Sequence, residues 1–256
     1  MFVFIVPLRS PETCSDWEKI SLLCNETLHS ITQQDSTEYR VILVCNSPPL
    51  NFVQNDRIKL VQETFAIPKS WDEANGDIYA KVKRGMLEIK KLQLVKANSS
   101  VFVMRVDADD LVSNRLVSFT ENFNESDGWY FPTGYIYQIG SDRIFIRPRF
   151  DMVSGTSHII RCDYSDFPES METPATDWLD VIWQHLQVNK LLEERKRKLT
   201  PLPFPGAVYR INSQNLSSTN LEDKRFSSLK SILWKAFSKR KLSSKIIEEF
   251  GFPTLE

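Results

Sequence analysis

The chain has 256 residues, of which 41% are hydrophobic and 25% are charged, and its formal net charge is −1. This composition is ordinary for a soluble globular protein, and the near-zero net charge argues for no particular partner. No apolar run approaches the roughly eighteen residues that a membrane-spanning helix needs. The length allows one large domain, or a domain with a tail, around a substantial hydrophobic core.

The cysteines and the first residues bear on location. Four cysteines are scattered along the chain without a CxxC pair or a Cys/His cluster, which argues against a zinc site and against a disulfide scaffold. The apolar start, residues 1–8, is too short for a signal peptide and carries no basic leader. We therefore expect a protein of the reducing cytoplasm.

Hydrophobic periodicity predicts a β-α-β-β start. Continuous apolar runs indicate buried strands, and apolar residues at helical spacing behind Ser15 or Asp16 indicate a capped helix. A helical crossover between the first two strands implies that these strands are parallel. The predicted elements of this part are strands over 2–8, 39–45 and 57–61 and helices over 16–33 and 77–97.

A mostly apolar run over 101–106 ends abruptly in Asp107, Asp109 and Asp110. The run predicts a strand buried on both faces, and open α/β sheets bind their ligands beyond the carboxyl ends of such strands. Asp107 and Asp109 offer hard oxygen ligands that suit Mg²⁺ or Mn²⁺ shared with a substrate's phosphates. The alternative is a helix cap followed by first-turn acids, which fits Asp110 best.

The second half is richer in aromatic residues and in Gly and Pro. A hairpin or small mixed sheet is predicted over 128–150, where the aromatic side chains could contact an acceptor sugar or simply form the hairpin core. Prolines at 201, 203 and 205 favour extended chain. The remaining predicted elements are helices over 111–123, 177–192 and 226–242 and strands over 154–162 and 208–211.

The C-terminal segment from Lys224 to Lys245 carries eight basic residues and no acidic one. Its apolar side chains fall on one helical face, as in an amphipathic helix at an anionic membrane surface. The alternative is a helix packed on the main domain with its basic face in solvent. Peripheral contact with the inner face of the membrane is one expectation from this segment. A nucleic-acid partner is not expected, because the basic run is local and no binding motif accompanies it.

The ordered set of motifs resembles the family 2 type of nucleotide-sugar glycosyltransferases. Over residues 2–217, Val106-Asp107-Ala108-Asp109-Asp110 stands at the Asp-x-Asp position, Thr176-Asp177-Trp178 opens a predicted helix, and Tyr209-Arg210-Ile211-Asn212 follows a Pro-rich link. The resemblance implies an α/β fold of the GT-A (Rossmann-like) type, a mixed sheet flanked by helices with a short basic helical C-terminal extension. We expect a glycosyltransferase domain over 1–217 and the extension over 218–256.

The resemblance also implies roles for individual residues. A metal-binding role falls to Asp109, with Mn²⁺ or Mg²⁺ as cofactor, and the general base of inverting members corresponds to Asp177. The nucleotide would be bound by residues that follow the first two strands, lie on the second predicted helix or open the acidic stretch: Pro7, Arg9, Asn46, Lys81 and Asp107. Asn46 replaces the acidic residue that relatives carry near the base, and Asn212 replaces a metal-binding histidine.

The function implied is transfer of a sugar from a UDP- or GDP-type donor to a hydroxyl of a glycan or lipid-linked acceptor. The metal would stabilise the leaving diphosphate, and a carboxylate would take the acceptor's proton. The replacements at Asn46 and Asn212 leave a second hypothesis open, a non-catalytic relative that binds a nucleotide or a glycan as an assembly partner. A nucleotidyltransferase on a similar fold would need a Gly-rich basic loop near the N-terminus, which this sequence lacks.

Overall fold

The computed structural model of the chain describes residues 1–123, 125–211 and 239–253. In these residues the strands are β1 Phe2–Pro7, β2 Tyr39–Cys45, β3 Ile58–Gln62, β4 Ser100–Arg105, β5 Leu111–Val112, β6 Gly128–Tyr130, β7 Thr133–Gln138, β8 Arg143–Pro148, β9 His158–Asp163, β10 Thr200–Pro201, β11 Ala207–Ile211 and β12 Lys239–Lys241. The α-helices are α1 Trp17–Thr32, α2 Trp71–Lys91, α3 Leu116–Glu121, α4 Val188–Glu194 and α5 Ser244–Phe250.

The larger sheet is mixed, with the strand order β10-β6-β9-β4-β1-β2-β3 among the described residues. β1 pairs in parallel with β2, as the helical crossover predicted. β1 also pairs in parallel with β4, and β2 pairs in parallel with β3. β9 runs antiparallel to β4 and to β6. The expected α/β class, a mixed sheet flanked by helices, is confirmed.

Alternation along β1 explains the two layers of helices. Phe4 and Val6 pack into the core that α1 covers, whereas Val3 and Ile5 pack into the core that α2 covers. A strand buried on both faces reads as a continuous apolar run, because neither face meets water. Gly85 lets α2 approach the sheet closely, since a Cβ there would lie 2.7 Å from Ile5 Cγ2.

The helix α2 begins six residues before the predicted start at position 77. The Ser70 hydroxyl accepts a hydrogen bond from the Glu73 N–H at 3.2 Å, and the Glu73 carboxylate accepts one from the Lys69 N–H at 2.7 Å. Reciprocal bonds of this type satisfy amide groups that have no partner inside the first turn. The extra turns place Trp71 and Asp77 beside the carboxyl ends of the parallel strands.

A second sheet, ordered β12-β8-β7-β11-β5, contains the predicted hairpin as β7 and β8. The helix predicted over 111–123 is wrong at its start, because Leu111 and Val112 form β5 and pair antiparallel with β11. Only α3 remains of that helix. Both β5 residues are completely buried, which explains why a short strand outcompetes helical propensity there.

The helix predicted over 177–192 is also wrong at its start. Short 3-10 turns cover Ala175–Asp177 and Asp180–Trp183, and the α-helix begins only at Val188. Between the turns Trp178 has an extended backbone, with φ −149° and ψ 171°, and its side chain is buried against Tyr79 of α2. Burial of this large ring fixes a backbone that a continuous helix would not allow.

The described end of the chain packs on the second sheet. β12 pairs antiparallel with β8, so the helix predicted over 226–242 is wrong at residues 239–241; its other residues to 238 lie outside the described part, as does the expected boundary at 217. Leu242, Phe250 and Phe252 are buried together with Val208 of β11. Among the described residues no helix has the length and apolar character to span a membrane.

Candidate functional site

A cleft of about 840 Å³ opens at the carboxyl ends of β1 and β4. Its walls come from the loop after β1, the first turns of α2, the acidic turn after β4 and two later loops. The polar side chains among the lining residues are those of Arg9, Thr13, Lys69, Ser70, Asn75, Asp77, Lys81, Arg105, Asp107, Asp109, Ser154, Gln184, His185, Gln187 and Tyr209.

The acidic turn presents two of its three carboxylates to the cleft. Asp107 and Asp109 are half-buried and line the cavity. The side chain of Asp110 points away, is fully buried, and accepts hydrogen bonds from the Ser154 hydroxyl at 2.8 Å and the Arg210 N–H at 3.4 Å. Burial, followed by the charges of Asp109 and Asp107, raises the pKa of Asp110 well above its usual value. The helix-cap interpretation is wrong, because a strand follows this turn.

Asp107 is paired with a cation from its own strand. The Arg105 Nε donates to Asp107 Oδ1 at 3.0 Å, and Arg105 Nη2 donates to the same oxygen. The Asp107 N–H donates to Thr156 Oγ1 at 2.9 Å. Gly155 makes room for the pair, since a Cβ at that position would lie 2.5 Å from Arg105 Nη2. The side chain of Asp107 is therefore held in the site by its ion pair with Arg105.

Two further cations lie in the cleft wall. The Lys81 Nζ donates to Asp77 Oδ2 at 2.7 Å, and the Lys81 side chain is fully buried. Burial lowers the pKa of Lys81 below its usual value, and the bond to Asp77 opposes this shift. The Arg9 Nε donates to Thr13 Oγ1 at 3.1 Å, and burial lowers the pKa of Arg9 while the charges of Cys14 and Asp109 oppose that shift. With Arg105, the cleft thus holds at least three basic groups beside its acids.

The structure brings together five of the seven residues predicted for the site: Pro7, Arg9, Lys81, Asp107 and Asp109. Asn46 does not line the cleft; its Nδ2 donates to the Phe65 carbonyl at 2.8 Å. Asp177 is exposed outside the cleft lining, and its carboxylate accepts a hydrogen bond from the Thr176 hydroxyl at 2.9 Å. Asn212 lies outside the described residues. Of the aromatic cluster, Trp129 and Phe131 are buried in the core that α1 covers.

His185, which was not among the predicted site residues, also lines the cleft. Burial, followed by the charge of Arg105, lowers its pKa to about 4, and the charge of Asp107 opposes that shift. The imidazole is therefore neutral near pH 7. The sequence around His185 does not predict that it lines the cleft. Its position there depends on the two 3-10 turns that precede it.

Arg210 fixes the position of the acidic turn, residues 107–110. Its guanidinium is 2% exposed and donates to the main-chain oxygen of Asp109, to the Glu26 carboxylate, to the Leu23 carbonyl at 2.8 Å and to Thr27 Oγ1 at 3.1 Å. These partners join β11 and α1 to the turn. The signal for this residue was an arginine inside the apolar run of β11, since a charge there must be paired.

The side chains of the cleft can be compared with the ligands that the predicted metal needs. Within the described ranges, no three His, Cys, Asp or Glu side chains are grouped to hold a metal ion. Asp107 and Asp109 offer two carboxylates. This set does not form a closed protein site, but it fits a Mg²⁺ or Mn²⁺ ion that takes its remaining ligands from substrate phosphates and water.

Comparison with known proteins gives only distant structural similarity. No protein-family model matches the chain, and no curated protein sequence does. S. aureus TarS is similar in structure, with a TM-score of 0.40 and 14% identity over 82% of this chain and 36% of the TarS chain. Francisella tularensis 2-C-methyl-D-erythritol 4-phosphate cytidylyltransferase (IspD) is similar with a TM-score of 0.37 and 12% identity, over 86% of this chain and 96% of that one. The chain spans about a third of the TarS chain.

Proposed function

We propose that the protein is a transferase that uses a nucleoside-diphosphate sugar and binds this donor in the cleft. The observation that carries the proposal is the meeting of Asp107 and Asp109 with Arg9, Lys81 and Arg105 in one cavity at the carboxyl ends of parallel strands. Carboxylates that attract a divalent cation, together with basic groups that attract phosphate, form the chemical complement of a metal-bound diphosphate.

The basic groups have distinct parts in this proposal. Arg9 and Arg105 carry planar guanidinium groups, which match phosphate oxygens with paired N–H donors. Lys81 is held by Asp77 and supplies a positive charge from the wall of the cleft. The apolar lining around Ile20, Pro68 and Trp71 leaves room for the nucleoside.

Asp109 is the residue that we assign to the divalent metal, because it lines the cleft and stands at the second aspartate of the Asp-x-Asp position. A bound Mg²⁺ or Mn²⁺ would neutralise charge that develops on the leaving diphosphate. Arg210 contributes indirectly, since it fixes the main chain of Asp109 and so limits where the carboxylate can reach.

The transfer itself requires removal of a proton from the acceptor hydroxyl while its oxygen attacks the sugar and the bond to the diphosphate breaks. Asp177 is the base that the family resemblance implies, yet its carboxylate is exposed outside the cleft lining. We therefore propose His185 as a second candidate for this base, because its imidazole lines the cleft whereas the Asp177 carboxylate does not.

A second candidate function has specific support. The ion pair between Arg105 and Asp107 and the position of Asp177 both favour a protein that binds a nucleotide or glycan without transferring a sugar. Such a protein would act as an assembly partner. Binding and turnover must therefore be measured separately.

The experiment that tests both candidates is thermal stability against a panel of nucleoside diphosphates and nucleotide sugars, each with Mn²⁺, Mg²⁺ or EDTA. A ligand that binds only the folded state raises the melting temperature by mass action. We expect one nucleotide to stabilise the protein with metal, and Asp109→Asn to remove the metal-dependent part while leaving the fold intact.

Turnover separates the two candidates. Release of nucleoside diphosphate in the presence of a sugar acceptor, lost in Asp109→Asn, would support the transferase. Donor binding without release under any metal would support the non-catalytic protein. Absence of a shift with every nucleotide would overturn the transferase and leave a non-catalytic glycan-binding protein as the remaining candidate.

A further inference from the structure

We propose that Asp77 of α2 recognises the nucleobase of the donor, as the acceptor of a hydrogen bond from an N–H group at the edge of the base. This inference rests on the proposed function. It assigns base recognition to the helix wall of the cleft rather than to Asn46, the position that the family resemblance favoured.

The two oxygens of Asp77 have different surroundings. Its side chain is 7% exposed, and Oδ2 accepts the hydrogen bond from Lys81 Nζ at 2.7 Å. Oδ1 is buried and has no hydrogen-bond partner in the described part of the chain. Most buried polar atoms are paired, because leaving one unpaired sacrifices its hydration without return. Asp77 lines the cleft, so a small rotation of its carboxylate when a ligand binds would bring Oδ1 to an N–H group of that ligand, which would supply the missing partner.

The wall beside Asp77 suits a flat apolar ring. Trp71, Ala74 and Ile78 lie on the same helix and line the same cleft, together with Pro68 from the preceding loop. The Trp71 side chain is 56% exposed, although tryptophan rings are usually highly buried. An exposed aromatic ring at the mouth of a cleft offers a surface on which a nucleobase can stack. Stacking accepts any base, so discrimination between bases depends on hydrogen bonds.

The charge balance narrows the ligand class further. Lys81 already neutralises Asp77, so a second cation would gain little at Oδ1. A neutral N–H donor on a planar heterocycle fits both the free acceptor and the apolar wall. Arg9, Arg105 and Asp109 lie on the strand side of the cleft, and Lys81 faces it from the third turn of α2. The diphosphate would lie between these groups, and the base would lie against the first turns of α2.

Asn46 is less suitable for this role. It lies outside the cleft lining, and its Nδ2 is occupied by the carbonyl of Phe65. The ring of Phe65 in turn lies 5.4 Å from Lys81 Nζ, so Asn46 supports the wall behind Lys81 instead of facing a ligand.

The substitution Asp77→Asn gives a directional test. Lys81 Nζ is a donor only and needs an oxygen, so the carbonyl of the new amide should stay with Lys81. The amide nitrogen would then take the place of Oδ1 and present a donor where the native protein presents an acceptor. The base that the native protein prefers should bind at least tenfold more weakly, and the order of preference among bases should change.

The experiment is isothermal titration calorimetry with UDP, GDP, CDP and ADP, and with inorganic pyrophosphate as a probe of the diphosphate end alone. Asp72→Asn is the matched control, since Asp72 is an exposed acid on the same helix outside the cleft lining. Because Lys81, the partner of Asp77, is also a proposed phosphate-binding group, the affinity for each nucleotide is divided by the affinity for pyrophosphate in the same variant. We expect Asp77→Asn to change the order of the bases in this ratio, and Asp72→Asn to leave both the ratio and the pyrophosphate affinity unchanged.

A ligand-side test does not depend on folding of a variant. The unaltered protein should bind the preferred nucleoside diphosphate at least tenfold more weakly when the edge N–H of its base is methylated. Unchanged affinity for the methylated ligand, or the same order of bases in Asp77→Asn, would overturn the role of Asp77 while leaving the proposed function standing. Failure of the native protein to bind any of the four nucleotides would instead overturn the proposed function.

Discussion

The buried guanidinium of Arg210 donates a hydrogen bond to the main-chain oxygen of Asp109, 101 residues earlier in the chain. The Arg210 N–H also donates to the carboxylate of Asp110 at 3.4 Å. One residue of β11 thus holds both the backbone and a side chain of the acidic turn. Because the same guanidinium contacts Glu26 and the carbonyl of Leu23 on α1, the candidate metal ligand is tied to the helix layer.

Arg210→Met should therefore destabilise the protein strongly. The substitution leaves the Glu26 carboxylate without its buried partner and leaves the Asp109 oxygen unsatisfied, and breaking a buried ion pair on one side costs about 3–5 kcal/mol. Urea denaturation would measure the loss, with the exposed Arg143→Met as the control, for which we expect less than about 0.5 kcal/mol. A loss below about 1 kcal/mol in Arg210→Met would show that the turn is held by other contacts.

Gly155→Ala should disturb the site without unfolding it. A Cβ there would lie 2.5 Å from Arg105 Nη2 and 2.8 Å from Asp107 Oδ2, and both atoms end side chains that can move. We expect the ion pair to separate, the affinity for pyrophosphate to fall and the melting temperature to change little. Gly76→Ala is the matched control, because nothing lies within 4 Å of its Cβ and alanine favours the helix by up to about 1 kcal/mol. Equal pyrophosphate affinity in both variants would contradict the role of Gly155.

The two candidate bases make opposite predictions. If His185 accepts the acceptor's proton, His185→Gln should lower kcat by about 10²–10⁴-fold with little change in donor affinity, whereas Asp177→Asn should remain active. Initial rates with saturating donor would measure both variants. Loss of turnover in Asp177→Asn alone would restore the base that the family resemblance implied.

Elements governed by local signals were predictable from the sequence. β2 was predicted with both its ends, and α1 within one residue at each end, because Asp16 supplies the expected cap. The start of α2 was predicted six residues too late, although Ser70 and Glu73 have the spacing of a capping box.

Features that depend on distant contacts were not predictable. The ion pair of Arg105 and Asp107 depends on Gly155, which approaches from a loop about fifty residues further along the chain. The exposed position of Asp177 follows from burial of Trp178 against Tyr79 of α2, a contact that helical periodicity does not encode. The place of the acidic turn after a buried strand was therefore predictable from the sequence, while the partners of its side chains were set by tertiary packing.

Acid should destabilise the protein through a histidine that is buried in its neutral form. Burial, followed by the charges of His185 and Arg105, lowers the pKa of His158 to about 3 from its ordinary value of 6.5. Between these values the unfolded chain binds a proton that the folded protein does not, so stability falls as the pH is lowered from 6.5 towards 3. Each pKa unit is worth about 1.4 kcal/mol, which makes the loss several kcal/mol in total.

Two other groups shape the same pH profile. His185 contributes in the same direction between 6.5 and about 4, whereas the raised pKa of Asp110 acts in the opposite direction, because its protonated form is favoured in the folded state. Urea denaturation at several pH values should show a steep loss in the native protein. His158→Gln should show a shallower slope between pH 6.5 and about 3. An identical slope in His158→Gln would mean that His158 is protonated in the folded protein.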